Sequence, residues 1–320
     1  MAHAAELVHV VRNGLVESVH EGDVAVCDAD GRVLAFAGDP DRMLFGRSCE
    51  KPIQGAVSFQ AMDAPDDLPD DLAAVMCASH NGEPVHVSAV RRLLRRGPVP
   101  ASALQNPRDR MHGGRRSRLH DNCSGKHAGM LVASAHRGWD MAAYRSRSHP
   151  LQRRVARAVV SATGVERPRL GVDGCGLPVH GVPLRAMATM YARLADPERL
   201  GRLASAVDRV VAGMVAKPYL VGGAKRLDTD VMTAGNGDVV AKEGAEGLVC
   251  ATWRSQRIGI ALKAADGSWR RLAPAFVKVL GDLGVLPETA FGGLRHHTRQ
   301  PVLGGDEPQG WVEPVVRLCR

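Results

Sequence analysis

Hydrophobic and polar positions alternate loosely from Leu7 to Val11, which predicts a strand. Val24–Cys27 and Val33–Phe36 have the same character, and Asp28-Ala29-Asp30-Gly31 between them predicts a β-hairpin. The period then changes. Across 48–62, Ile53, Ala56, Val57 and Ala61 recur at helical spacing, and helical periodicity returns over 124–136, 151–163, 183–194 and 197–216. Strand character reappears at 239–242, 247–253 and 257–264, with Asp266-Gly267 as a turn, and a last helix is predicted over 269–283. Strands at both chain ends with helices between them predict an α+β layered fold. One antiparallel sheet takes strands from both termini, and helices pack on it. Residues 1–291 are read as a single domain and 292–320 as a polar C-terminal extension.

Composition narrows the function classes. A chain of 320 residues with 45% hydrophobic positions can bury a sizeable core, which excludes wholesale disorder. No apolar run approaches the roughly 18 residues of a membrane span, and the first residues lack a basic segment followed by an apolar one. A cytoplasmic protein is expected. Seven cysteines, an odd number, fit free thiols or metal ligands better than a disulfide framework. The net charge of +8 invites a nucleic-acid reading. However, the arginine clusters at Arg91, Arg92, Arg95 and Arg96, and at Arg108, Arg110, Arg115, Arg116 and Arg118, have no aromatic residue interleaved for base stacking. Neither nucleic acid nor membrane is expected as a partner.

The basic residues themselves say where to look for chemistry. Of 42, only Lys51, Lys126, Lys217, Lys225, Lys242, Lys263 and Lys278 are lysines. A chain that uses arginine wherever charge suffices marks its lysines as positions that need a proton they can lose.

Four constellations follow. In Arg47-Ser48-Cys49-Glu50-Lys51-Pro52, Ser48 is expected to cap a helix and Lys51 to occupy its third position, on the same face. A neutral lysine can then take the serine proton, the Ser-x-x-Lys logic of serine β-lactamases. Cys77-Ala78-Ser79-His80-Asn81-Gly82-Glu83 is a polar turn delivered by an apolar run. Read alone, it is an ordinary turn. In Asn122-Cys123-Ser124-Gly125-Lys126-His127, Cys123, Lys126 and His127 share one helix face, and Cys175 of Asp173-Gly174-Cys175-Gly176 offers a further thiolate for zinc. Lys242-Glu243-Gly244-Ala245-Glu246-Gly247 precedes a strand that ends at Lys263.

Taken in order, RSCEKPIQ, CASHNGEPVH, NCSGKHAGML, DGCGLP and KEGAEG resemble the bacterial asparaginase II family of Rhizobium-type enzymes. The resemblance implies hydrolysis of L-asparagine to L-aspartate and ammonia, a fold similar to serine β-lactamases and their related glutaminases, and a homodimer. It implies two Ser-Lys tandems, with Ser48 and Lys51 as one and Ser79 and Lys263 as the other. It also implies zinc held by Cys123, Lys126 and Cys175, with His127 beside the ligands. Ser48 is expected to be the nucleophile. Arg47 is the candidate clamp for the substrate carboxylate and Asp173 for its ammonium, and His80 is a further substrate-binding candidate. Three features depart from the family: the basic segment 104–120, Lys217-Pro218 where His-Pro is usual, and the tail after 292. Rival readings are another serine acyl-enzyme amidase, whether a glutaminase or a β-lactam-interacting protein, and a basic anion-binding module.

Overall fold

Ala5–Arg12 and Leu15–Cys27 form an antiparallel pair across Asn13-Gly14, where both residues have positive φ, 48° and 81°. Asn-Gly is the dipeptide that a tight hairpin turn favours, and the alternation pattern alone passed over it. The structure is a computed structural model. It describes residues 3–62, 68–109 and 116–320, apart from the side chains of Trp269 and Arg270. Arg110 and Arg115 of the second basic cluster lie outside the described residues.

The described chain divides into two compact units. The first takes Met1–Leu44, Pro183–Ala195 and Asp230–Arg320, and the second Phe45–Val182 and Asp196–Thr229. The expected boundary at 291 therefore does not separate them.

In the first unit, one antiparallel sheet runs in the order Pro301–Gly304, Glu307–Pro314, Ala5–Arg12, Leu15–Cys27, Ile258–Ala264, Leu248–Trp253, Val239–Gly244. Val33–Ala37 pairs with the second half of Leu15–Cys27, as the hairpin expectation required. Strands from both chain ends thus share one sheet, the arrangement read from the sequence. Its central positions Val24, Val26, Val249, Ala251, Ile260 and Leu262 are fully buried, and Phe276 and Leu280 of the Trp269–Asp282 helix join the core. Within the polar extension, residues 301–314 form the outer two strands, and Cys319 bridges to Phe36. Few of their side chains are buried, Val302 and Val312 among them, so the segment reads as polar although its backbone completes a sheet edge.

The second unit is built mainly of helices, including Lys51–Ala61, Asp70–Met76, Pro84–Leu94, Ser124–His136, Pro150–Thr163 and Ala204–Ala216. The helix read over 197–216 is two pieces: a 3-10 stretch Pro197–Leu203 breaks at Gly201 before Ala204–Ala216 begins. The start of Ser124–His136 sits tight against the end of Asp70–Met76. A Cβ on Gly125 would stand 2.0 Å from the Val75 carbonyl oxygen. Only glycine lets the two elements approach this closely; Lys126 lies on the first of them with Cys123 just before it, and Ser79 follows the second. No helix among the described residues is long and apolar enough to cross a membrane.

Candidate active site

Arg47–Glu50 forms a 3-10 turn, and the Lys51–Ala61 helix follows with Pro52 in its first turn. Proline is tolerated there because first-turn amides have no partner within the helix. Ser48 is therefore not the helix cap. It lies inside the 3-10 turn, the cap position belongs to Glu50, and Lys51 is the first helical residue rather than the third. Arg47 enters the turn at φ 46°, a left-handed conformation rare outside glycine and a mark of local strain. Glu50 anchors the turn from below. Its buried carboxylate accepts the His180 backbone N–H and the His180 Nδ1–H, both at 2.9 Å.

Lys51 has no exposed surface. Its Nζ donates to the Ala78 carbonyl oxygen at 2.6 Å and to Ser79 Oγ at 2.7 Å. The structure thus brings the first predicted lysine onto the second predicted serine, which the four-residue pattern around Ser48 does not reveal. Ser79 is buried, and its backbone N–H is held by the Val221 carbonyl at 2.9 Å. Ser48 is only half-buried.

His80 is engaged entirely by protein. The Gly82 N–H donates to Nδ1 at 2.9 Å, so the proton resides on Nε2, which donates to Ser124 Oγ at 2.9 Å. The Ser124 hydroxyl passes on to the Leu119 carbonyl. Burial, with the charges of His86 and Lys51 added, holds the imidazole well below its usual titration range and so neutral. A ring stacked on His86 at 4.9 Å and bonded at both nitrogens positions the Ser79 turn. Both of its ring nitrogens are taken by protein groups in this arrangement.

The zinc candidates also converge. Lys126 Nζ is 3.2 Å from Cys175 Sγ, whose thiol donates to Asp173 Oδ2 at 3.5 Å, while the Cys123 thiol donates to Asn122 Oδ1 at 3.2 Å. The neighbouring Cys175 holds the Cys123 thiol well below its ordinary range despite burial, and Cys123 in turn pushes Cys175 up, where burial adds to it. Burial disfavours the Lys126 charge, but the sulfurs and Asp173 outweigh it, so the group is raised overall. Cys175 sits in the loop between the antiparallel strands Arg169–Val172 and Pro178–Pro183. His127 donates or accepts through Nδ1 to the Tyr144 hydroxyl at 2.6 Å instead of joining the sulfurs.

Arg47 and Asp173 were expected as separate clamps, yet they face each other: Arg47 Nε donates to Asp173 Oδ1 at 2.7 Å. Burial alone would raise Asp173; Lys126 and Arg47 together lower it. Lys263 lies on Ile258–Ala264 in the first unit, half-buried, with Nζ donating to the Ala264 carbonyl. Desolvation lowers its pKa from that of an ordinary lysine. Lys242 is fully buried in the same unit, its Nζ donating to the Glu243 carbonyl at 3.0 Å. Asp121 was not singled out from the sequence. It accepts the Cys123 N–H and the Asn106 amide, both at 3.0 Å, and burial followed by the Cys123 charge pushes it up to about 6. Its only signal in the sequence is its place two residues before Cys123.

The family model described as L-asparaginase II matches residues 8–314, so the match includes most of the tail that the resemblance left out. Among curated proteins, none matches this chain. Solved structures similar to it include a β-lactamase from Mycobacterium bovis, 15% identical with a TM-score of 0.45 over 82% of this chain and 94% of that one. A Bacillus glutaminase is 13% identical with a TM-score of 0.48, over 83% and 91%.

Proposed function

Because the chain belongs to the L-asparaginase II family and is an amidohydrolase, we propose that it hydrolyses L-asparagine to L-aspartate and ammonia through a serine acyl-enzyme. The observation that carries the catalytic reading is Lys51, a fully buried amine at the first position of the Lys51–Ala61 helix, 2.7 Å from the Ser79 hydroxyl. We take Ser48, the less buried of the two serines, as the nucleophile. Its hydroxyl attacks the side-chain amide carbon while a neutral Lys51 takes its proton. The proton passes through Ser79, hydrogen-bonded to Lys51, to the departing nitrogen, and ammonia leaves. Water then adds to the ester and the same groups return the proton to Ser48. Burial also disfavours the charge of Lys263, the amine that the family resemblance pairs with Ser79.

A free amino acid carries a carboxylate and an ammonium side by side, the complements of the Arg47–Asp173 pair. We assign substrate entry to exchange with that pair, the carboxylate going to Arg47 and the ammonium to Asp173. Cys123, Cys175 and Lys126 fit zinc by their chemistry: two buried sulfurs, one held toward the thiolate, and an amine 3.2 Å from the other. The ion would supply a fixed positive centre that orients substrate, and its binding requires Lys126 to release the proton its neighbours favour. The homodimer implied by the resemblance belongs to the same proposal, with light scattering as its check.

Ammonia release over a panel of amides, with and without a chelator, tests the reading. L-Asparagine is expected to exceed L-glutamine in kcat/KM by roughly tenfold or more, the discrimination that one methylene allows. A preference for L-glutamine, or no release from either, overturns it. Acid-quenched turnover should leave a β-aspartyl adduct on the peptide containing Ser48; an adduct at Ser79 reverses the two serine roles.

A further inference from the structure

His296 and His297 lie in the short helix Arg295–Thr298, in the tail segment to which the amide chemistry gives no role. Successive residues on a helix ordinarily point about 100° apart. Here the two rings approach with centroids 4.0 Å apart, and both Nε2 atoms reach one oxygen, Oδ2 of Asp230, at 2.9 and 2.8 Å. The three donor atoms all lie within 4.8 Å of one another, in the first unit. Ligands joined to a metal by bonds of about 2.0–2.1 Å stand about 3 Å apart at right angles and about 3.3 Å apart in a tetrahedral site. The contacts from Asp230 Oδ2 to the two ring nitrogens are within a few tenths of an ångström of that range.

Burial is graded across the group. His297 is buried, Asp230 half-buried and His296 exposed, so one side is fixed by protein and the other is open. A shallow recess lined by Arg295, His296, Arg299 and Trp311 borders the open side. The Arg299 guanidinium lies 4.4 Å over the Trp311 ring. Guanidinium groups beside the recess disfavour a hard cation held by charge alone. Two imidazoles and one carboxylate instead suit a borderline transition metal, with the remaining positions left to water or a small anion.

We propose that Asp230, His296 and His297 form a binding site for a divalent transition-metal ion of the zinc or nickel class, separate from the Cys123–Lys126–Cys175 cluster. The site does not depend on the amide-hydrolysis reading.

Zinc titration of the full chain by calorimetry tests it, in a Cys123→Ser, Cys175→Ser background so that the thiol cluster cannot contribute. One equivalent of Zn2+ is expected to bind. Asp230→Asn and, separately, the exposed His296→Ala should each weaken that binding at least tenfold, with circular dichroism unchanged. Co2+ in the same background should give absorption without a thiolate charge-transfer band. Absence of zinc binding in the Cys123→Ser, Cys175→Ser parent, or binding that neither variant changes, overturns the proposal and leaves the cluster a hydrogen-bonded tether. Zinc bound by the wild type but not by the Cys123→Ser, Cys175→Ser parent would leave the thiol site standing while this one falls.

Discussion

At Lys51 a side chain that normally seeks water has no exposed surface, and its nitrogen lies on a carbonyl and a serine oxygen. Such a site suits an amine that exchanges a proton and does not suit a permanent cation. Lys51→Arg should therefore lower kcat by roughly a thousandfold or more, as should Ser48→Ala, since residues acting as one catalytic unit fail together. Steady-state ammonia release checks both, and a near-normal rate in either removes that residue from the proposed mechanism. Asp121 gives a second prediction. Its carboxyl is raised from 3.8 to about 6 by burial first and then by the Cys123 charge. Between those pH values the folded chain holds a proton that the unfolded chain has released. Stability then falls as pH rises through the window, by at most about 3 kcal/mol. Urea unfolding of Asp121→Asn and wild type from pH 4 to 7 reads this. The variant should gain on the wild type as pH rises, and parallel curves would refute the assignment.

At the scale of elements, the site rests on how closely two helices meet. The Ser124–His136 helix begins with Gly125 against the Val75 carbonyl, and a methyl group there has no room. Gly125→Ala should cost about 1–3 kcal/mol by overpacking. It should also reduce turnover, because the shift is transmitted to Lys126 on one element and toward Ser79 on the other. Urea midpoints and kcat measured together check this; an unchanged midpoint would show that the contact is softer than its geometry. Helix existence was legible from the spacing of Ile53, Ala56, Val57 and Ala61. The 3-10 turn ahead of that helix was not, because Ser48 has the residue type of a cap and only the backbone path through a left-handed Arg47 takes it out of that position.

At the scale of the whole molecule, the first unit is closed by pairing residues three hundred or more positions apart. Val8, Val10 and Val11 register with Pro314, Val312 and Trp311. Truncation after Gln300 should uncover the Ala5–Arg12 edge and remove the buried Val302 and Val312, each worth about 1.5–3 kcal/mol. A lower melting temperature and concentration-dependent association through the free edge are expected by calorimetry and light scattering. Unchanged melting would make the tail strands ornamental. The polar look of 292–320 concealed this, since an edge strand draws its stability from backbone pairing that side-chain composition does not report.

The order of periodic segments, the scarcity of lysine and the five short motifs were enough by themselves to set the α+β class, the family and the residues worth testing, because periodicity and residue chemistry are local properties. Which groups meet was decided only by folding. Lys51 bonds to Ser79, Arg47 closes on Asp173, His80 is consumed in holding a turn, and two tail histidines converge on Asp230. Each of these contacts joins side chains far apart in the chain, and their burial and charge environment exist only once the helices and strands have packed.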